Sequence, residues 1–247
     1  MDRMLYVAMT GAQQTMQATA ANNHNLANLN TTGFRADLSQ FRSIPVFGEG
    51  HPTRVYAMAE RPGVDFTPGP LQSTGRELDV AVQGEGGWLA VRSPSGGEAY
   101  TRAGNLKITS NGILTTGAGH PVLGEGGTIA IPPAQKIEIG ADGTLSIRPL
   151  GQAANTLVVL DRIKLVNPPL DQLQKDEEGL MTMANGGQAP ADASVSLVSG
   201  KLEASNASGV DALVEMIALA RQYEMQTKMM QTAKELDTAS AQMLRMG

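Results

Sequence analysis

Residues 4–34 read MLYVAMTGAQQTMQATAANNHNLANLNTTGF, a run without a single Asp, Glu, Lys or Arg. The run still has a helical period: Leu5, Met9, Ala12, Met16, Thr19, Asn23 and Leu26 step by four and three. Side chains at that spacing share one face of an α-helix. Ala, Met, Leu and Gln are good helix formers, so the pattern predicts a helix from about Asp2 to Asn28, with Gly11 a local cost. The cluster Asn28-Leu29-Asn30-Thr31-Thr32-Gly33 should end it, because Asn, Thr and Gly favour caps and turns. A helix on the surface of a monomer normally carries a charged face. One with no charge on any side is explained if its polar face also packs against protein. That points to an assembly subunit.

The other end of the chain answers it. Ser205-Asn206-Ala207-Ser208-Gly209 is a capping cluster, and a helix is expected from about Gly209 to Met246. Val210, Leu213, Val214, Ile217 and Ala220 form a first apolar face. Met229, Ala233, Leu236 and Met243 continue it. Ten of the 13 methionines fall in these two terminal segments. Methionine is flexible and polarizable, and it suits interfaces that must fit non-identical neighbours. The expected subunit-interface residues are therefore Leu5, Met9, Ala12, Met16, Thr19, Asn23 and Leu26, with Leu213, Ile217, Ala220, Met229, Ala233, Leu236 and Met243 opposite. Their expected role is knobs-into-holes packing within and between subunits.

Between the helices the pattern changes. Residues 34–75 hold Pro45, Pro52, Pro62, Pro68 and Pro70 with interleaved Gly, and read as an extended arm. Thr53 to Met58 alternates and allows one short strand. Residues 76–200 read as a β domain. Leu78-Asp79-Val80-Ala81-Val82 alternates as a half-buried strand should. Asn111-Gly112 and Asp142-Gly143 each separate two alternating runs, the strongest short hairpin signal when both turn residues take positive φ. Thr156 to Val166 reads as one further strand, ended by Pro168-Pro169. Residues 82–91 and 122–131 resemble each other and are expected to be related hairpin corners. The expected fold class is α+β. Terminal helices (1–33 and 201–247) are expected to form a coiled-coil-like domain, with a central, mainly antiparallel β domain between them in sequence.

Composition excludes several function classes. The net charge of −5, without a Lys/Arg cluster, argues against nucleic-acid binding. Absence of cysteine excludes disulfides, thiolate metal sites and cysteine nucleophiles. His24, His51 and His120 are far apart, without metal-ligand spacing, and read as lone structural or surface residues. Gly84-Glu85-Gly86-Gly87 and Gly124-Glu125-Gly126-Gly127 would suit a phosphate loop only if helices followed; strands are expected, so both read as turns. Glu77 and Asp79 are expected on one face of a strand, and Asp176-Glu177-Glu178 as a solvated turn before Gly179. No catalytic, cofactor-binding or metal residue is assigned. No stretch approaches the roughly 20 apolar residues needed to span a bilayer, so no direct membrane insertion is expected. The start lacks a basic segment followed by an apolar one, so any export is expected to proceed without a cleaved leader.

Residues 21–35 resemble the N-terminal signature of bacterial flagellar rod and hook proteins at Ala21, Asn22, Asn23, Leu26, Ala27, Asn28, Thr31, Gly33 and Phe34, ending in Arg35. His24-Asn25 sits where the usual pattern is more compact. Leu202, Glu203, Ser205 and Asn206, followed by Glu215-Met216-Ile217 and Arg221-Gln222-Tyr223-Glu224, resemble the C-terminal signature. Gly87 to Val91 and Tyr100 to Asn105 look like the β domain of the rod proteins. Ile44-Pro45-Val46 with Thr53-Arg54 is most similar to a proximal rod protein, with a distal rod protein as the alternative. The resemblance implies a structural subunit without cofactors. Its terminal helices would line an inner tube, and its β domain would sit outside. It would travel through the flagellar type III export apparatus and polymerise in the periplasm as part of the basal-body rod. Implied partners are further copies of itself, rod proteins of the FlgB, FlgC, FlgG and FliE kinds, and the export apparatus. A rival reading is a secreted glycan-binding β module, with Trp88 and Tyr100 as its stacking residues.

Overall fold

The computed structural model describes residues 3–45, 55–60, 63–84, 86–151 and 157–246. The fold is α+β, with a helix near each end of the chain and a β-rich stretch between them. The chain divides into two compact units. One comprises Met1–Ala27, Asp37–Val64 and Ser208–Gly247; the other comprises Asn28–Ala36 and Asp65–Ala207.

In the first unit, helix α1 (Arg3–Ala27) runs antiparallel to helix α2 (Gly209–Met246). The direction follows from two contacts: Asn22 Nδ2 donates to the Ala212 carbonyl at 2.7 Å, while Gly11 faces Gln226. The buried seam of α1 consists of small residues, Ala8, Ala12, Thr15, Ala18 and Ala21. Gly11 is more than a local cost. A Cβ there would lie 2.9 Å from the amide end of the Gln226 side chain, which the glycine leaves room to lie across α1. Three threonine hydroxyls of α1 are satisfied within the helix itself: those of Thr10, Thr15 and Thr19 donate to the carbonyls of Tyr6, Gly11 and Thr15. Ser208 caps α2, its Oγ accepting from Asp211 N at 3.3 Å.

The arm differs from expectation. Its described residues contribute not one strand but three: an antiparallel pair, Gln40–Pro45 with Val55–Glu60, in register from Gln40↔Glu60 to Pro45↔Val55, and the short strand Leu71–Ser73. Thr53, Arg54 and His51 lie outside the described residues. The first strand escapes a reading by composition because Pro45 and the glycines beyond it dominate the segment. Ala59 N donates to Gln14 Oε1 at 2.8 Å, tying the second strand to α1.

The second unit holds antiparallel strands throughout. Its largest sheet has the order Leu165–Val166, Trp88–Arg92, Glu98–Thr101, Met181–Met183, Leu173–Lys175. A three-stranded sheet joins Ala134–Ile139, Thr144–Pro149 and Val158–Arg162. Leu89, Val91, Leu106, Leu114, Val122 and Leu145 are wholly buried between the layers.

Three local expectations are corrected. Val80, Ala81 and Val82 are all buried, so this strand is covered on both faces rather than one. The backbone at Gly104 lies so close that a Cβ there would meet the Val80 carbonyl, and Val80 N donates to Gly104 O at 3.0 Å. The single strand expected to run on to Val166 is two strands in two sheets. The chain changes sheet at Ile163-Lys164, whose amides donate to Gly143 O and Leu123 O. The two similar Gly-rich segments are not equivalent corners either. The first carries the chain from the strand Val80–Gln83 into a different sheet; the second closes a small hairpin, Leu123–Gly124 with Gly127–Thr128.

The expected hairpins at Asn111-Gly112 and Asp142-Gly143 are present, with a different turn. Only the glycine has positive φ, at 78° and 85° respectively. Gly112 N donates to Thr109 O while Thr109 N donates to Ile113 O, and Gly143 and Gly140 repeat the arrangement. This is a type I turn followed by a left-handed glycine. The same pair of bonds recurs at Ser93–Gly97, Thr116–His120 and Asp176–Leu180. There it has no Asn-Gly or Asp-Gly to announce it.

Candidate functional site: a buried junction and two helix faces

The second unit brings the two terminal signatures together. The strand Lys201–Glu203 pairs with Leu71–Ser73. Gly33 N donates to the Glu203 carbonyl at 2.8 Å. The Asn206 side chain bridges three backbone groups, accepting from Ala36 N and donating to the Asp65 and Thr67 carbonyls. Gly33, at φ 68°, packs so tightly that a Cβ would fall 2.2 Å from the Arg102 carbonyl carbon.

At the centre lies a buried charge cluster. Glu203 Oε1 is 2.6 Å from Arg35 NH2, and Glu203 Oε2 is 3.0 Å from Arg102 NH1, with side chains no more than 1% exposed. Gly69 N also donates to Glu203 Oε1, and Arg102 NH2 donates to the Gly84 carbonyl. Both guanidiniums lie against the Trp88 ring, at 5.8 Å for Arg35 and 5.4 Å for Arg102. Phe66 meets the same ring edge-on. Lys175 Nζ donates to the Arg35 carbonyl and sits 4.0 Å from the Phe34 ring centre. Burial lowers the Arg102 pKa; the Glu203 carboxylate opposes the shift and the Arg35 charge adds to it.

Gly33, Phe34, Leu202, Glu203, Ser205 and Asn206 were legible as signature positions, and all belong to this unit. Arg35 and Arg102 were not singled out, because charged residues are seldom fully buried. The available signal was Arg35 itself, where the uncharged run stops. Trp88 and Tyr100 are 1% and 0% exposed, which rules out stacking on a glycan. The Tyr100 hydroxyl instead accepts from Ala189 N at 2.7 Å.

The other signature positions lie around the end of α1. Ala21 and Asn22 are buried, Leu26 is half-buried, and Asn23 and Ala27 are exposed. The Thr31 amide and hydroxyl both donate to Asn28, forming the turn after the helix. His24 and Asn25 have a shared purpose. Asn25 exchanges two hydrogen bonds with the Asp37 backbone, and His24 Nδ1 is 2.9 Å from Asp37 Oδ2, so His24 is not a lone residue.

Of the expected interface residues on α1, Ala12 is buried, Leu5, Thr19 and Leu26 are half-buried, and Met9 (49%) and Met16 (60%) are exposed together with Asn23. On α2, Ala233 is buried, while Leu213, Ile217, Ala220, Met229, Leu236 and Met243 are exposed. Ala212 and Leu219 take the buried positions. Small residues, with Leu219, thus mediate contact within the chain, and most of the large apolar ones face outward.

Among the described residues, no group of three or more His, Asp or Glu is placed to hold a metal, and no helix is long and apolar enough to cross a membrane. Glu77 lies in a turn and pairs with Lys136, whereas Asp79 pairs with Arg76, so the expected shared strand face does not form. Asp176 caps its own turn, accepting from Glu178 N and Leu180 N.

The chain matches two described families. Residues 198–243 match the flagellar basal body rod FlgEFG protein C-terminal family, and residues 81–147 match the flagellar hook protein FlgE/F/G D1 domain. The flagellar basal-body rod protein FlgF of Salmonella typhimurium is 42% identical over 252 residues, covering 100% of both chains. FlgF of Caulobacter vibrioides is 33% identical, covering 99% of this chain and 98% of its own. The flagellar basal-body rod protein FlgG of Bacillus subtilis is 31% identical over 95% of this chain and 96% of its own.

Proposed function

The chain belongs to the flagellar basal-body rod protein family, and we propose that it serves as an FlgF-like subunit of the proximal rod. It is a structural component of the flagellum and not an enzyme. In this reading it leaves the cytoplasm through the flagellar type III export apparatus and polymerises in the periplasm. Its partners are further copies and rod proteins of the FlgB, FlgC, FlgG and FliE kinds.

One observation carries the reading. Helix α2 leaves large apolar side chains uncovered, with Val210 73%, Val214 63%, Ile217 55%, Met225 58%, Leu236 54% and Met243 66% exposed. Large apolar residues recurring on one exposed helix suit an interaction surface. A coiled-coil inner tube would bury it, through Leu5, Met9, Met16 and Leu26 on α1 and Leu213, Ile217, Met229 and Leu236 on α2. Residues 34–75 would reach neighbouring subunits, and the β domain would lie outside the tube.

Met16→Asp tests this. Met16 is 60% exposed, so a charge there leaves the chain folded. The expected result is a non-motile strain whose purified subunit keeps a shielded Trp88. Normal motility would refute the role of this face. A distal, FlgG-like position is the second reading, favoured by the 31% identity to the Bacillus protein. Electron cryomicroscopy of basal bodies separates the two by where along the rod the chain is traced.

A further inference from the structure

Among the described residues, the Trp88 junction sets the buried guanidiniums of Arg35 and Arg102 against the Glu203 carboxylate. Burying a cation without its partner is costly, and two cations on one indole raise the cost. Arg35 and Arg102 come early in the chain, whereas Glu203 falls in its last fifth. Leu89, Val91, Leu114 and Leu145 belong to an apolar cluster of the same unit whose members pack on one another and not on these charges.

We infer that the junction is a latch closed from the far end of the chain: the β unit stays open around Trp88 until residues 201–206 pair with Leu71–Ser73 and set the Glu203 carboxylate between Arg35 and Arg102. The same segment supplies the other fastenings, the Glu203 contacts to Gly33 and Gly69 and the Asn206 bridge. A chain made or delivered from its N-terminus therefore keeps this corner open until its final part arrives. The inference is independent of the rod assignment.

Trp88 is the only tryptophan, so its fluorescence in the full-length chain reports the latch, while far-UV circular dichroism reports strands and helices. Glu203→Gln keeps the shape and removes the charge. The expected result is a red-shifted, quencher-accessible Trp88 at urea concentrations below the main transition, with unchanged dichroism. The opening equilibrium should rise roughly a hundredfold or more. Adding Arg35→Met returns the cluster to its original net charge and should restore shielding. A latch held by shape alone would be weakened further by the second substitution. Wild-type shielding in Glu203→Gln up to the main transition overturns the inference, and so does a double variant that stays open. If Glu203→Gln loses its dichroism as well, the double variant decides: recovery of both signals supports the latch, and continued loss overturns it.

Discussion

Replacing Gly33 by alanine should cost far more than the same change at Gly75, although both glycines sit at nearly the same φ, 68° and 69°. An L-residue in this left-handed region costs roughly 1–2 kcal/mol. That charge applies to both positions, as does the small gain from a stiffer unfolded chain. The difference lies in what the new methyl group meets. At Gly75 nothing lies within 4 Å, whereas at Gly33 the added Cβ would sit 2.2 Å from the Arg102 carbonyl carbon and 2.4 Å from Ala103 N. Both clashing atoms are backbone, so the chain at Arg102-Ala103 must move, and overpacking of that kind costs roughly 1–3 kcal/mol more. Urea denaturation followed by Trp88 fluorescence reads the gap. With a slope of about 2 kcal/mol per molar, a gap of about 2 kcal/mol separates the midpoints by about 1 M. Equal midpoints would refute the close approach of Gly33 to the Arg102-Ala103 backbone.

Other outcomes follow from single contacts. Gly11→Ala should be tolerated, because the gain in helix propensity of about 1 kcal/mol offsets a contact with the movable end of Gln226, whereas Gly11→Leu should force the helices apart and speed amide exchange in α1. Tyr100→Phe leaves the Ala189 amide without its acceptor and should destabilise the chain by about 1–3 kcal/mol in urea titrations. Burial pushes the Tyr100 phenol up to about 12, so the unfolded chain ionises first and stability should fall as pH rises from 10 towards 12; an alkaline titration in which Tyr100→Phe loses stability just as steeply would contradict this. Hydrogen bonds from Thr144 hold the Asp142 carboxyl below its usual 3.8, so it stabilises the fold above that pH and the contribution is lost on further acidification. Asp142→Asn should flatten the acid limb, and an unchanged acid limb would count against it.

The helices were legible because α1 has a strong period and α2 a clear capping cluster, and neither reading needs distant contacts. What the period did not separate was the face of α1 that packs within the chain from the face left for subunits: Ala8, Gly11, Thr15 and Ala18 turn inward, whereas Met9 and Met16, expected at a subunit interface, are exposed. A threonine that bonds its own helix counts as small and neutral, which composition does not reveal. The junction was half legible. Its ends stood out as signatures, but nothing local to Arg102 says that Glu203, 101 residues away, will neutralise it. Strand changes between sheets, such as that at Ile163-Lys164, are set by partners far along the chain and leave no periodic trace.

The absence of Asp, Glu, Lys and Arg from α1 after Arg3 has a consequence for the conditions under which it can pack. Ionic screening acts only on charges, and a seam made of methyl groups, a glycine and internally bonded threonines gives it nothing to act on. No counterions need to leave when such a surface is covered, and none return when it is bared. Contacts made by that seam should therefore respond little to ionic screening, while salting-out ions at high concentration should strengthen them.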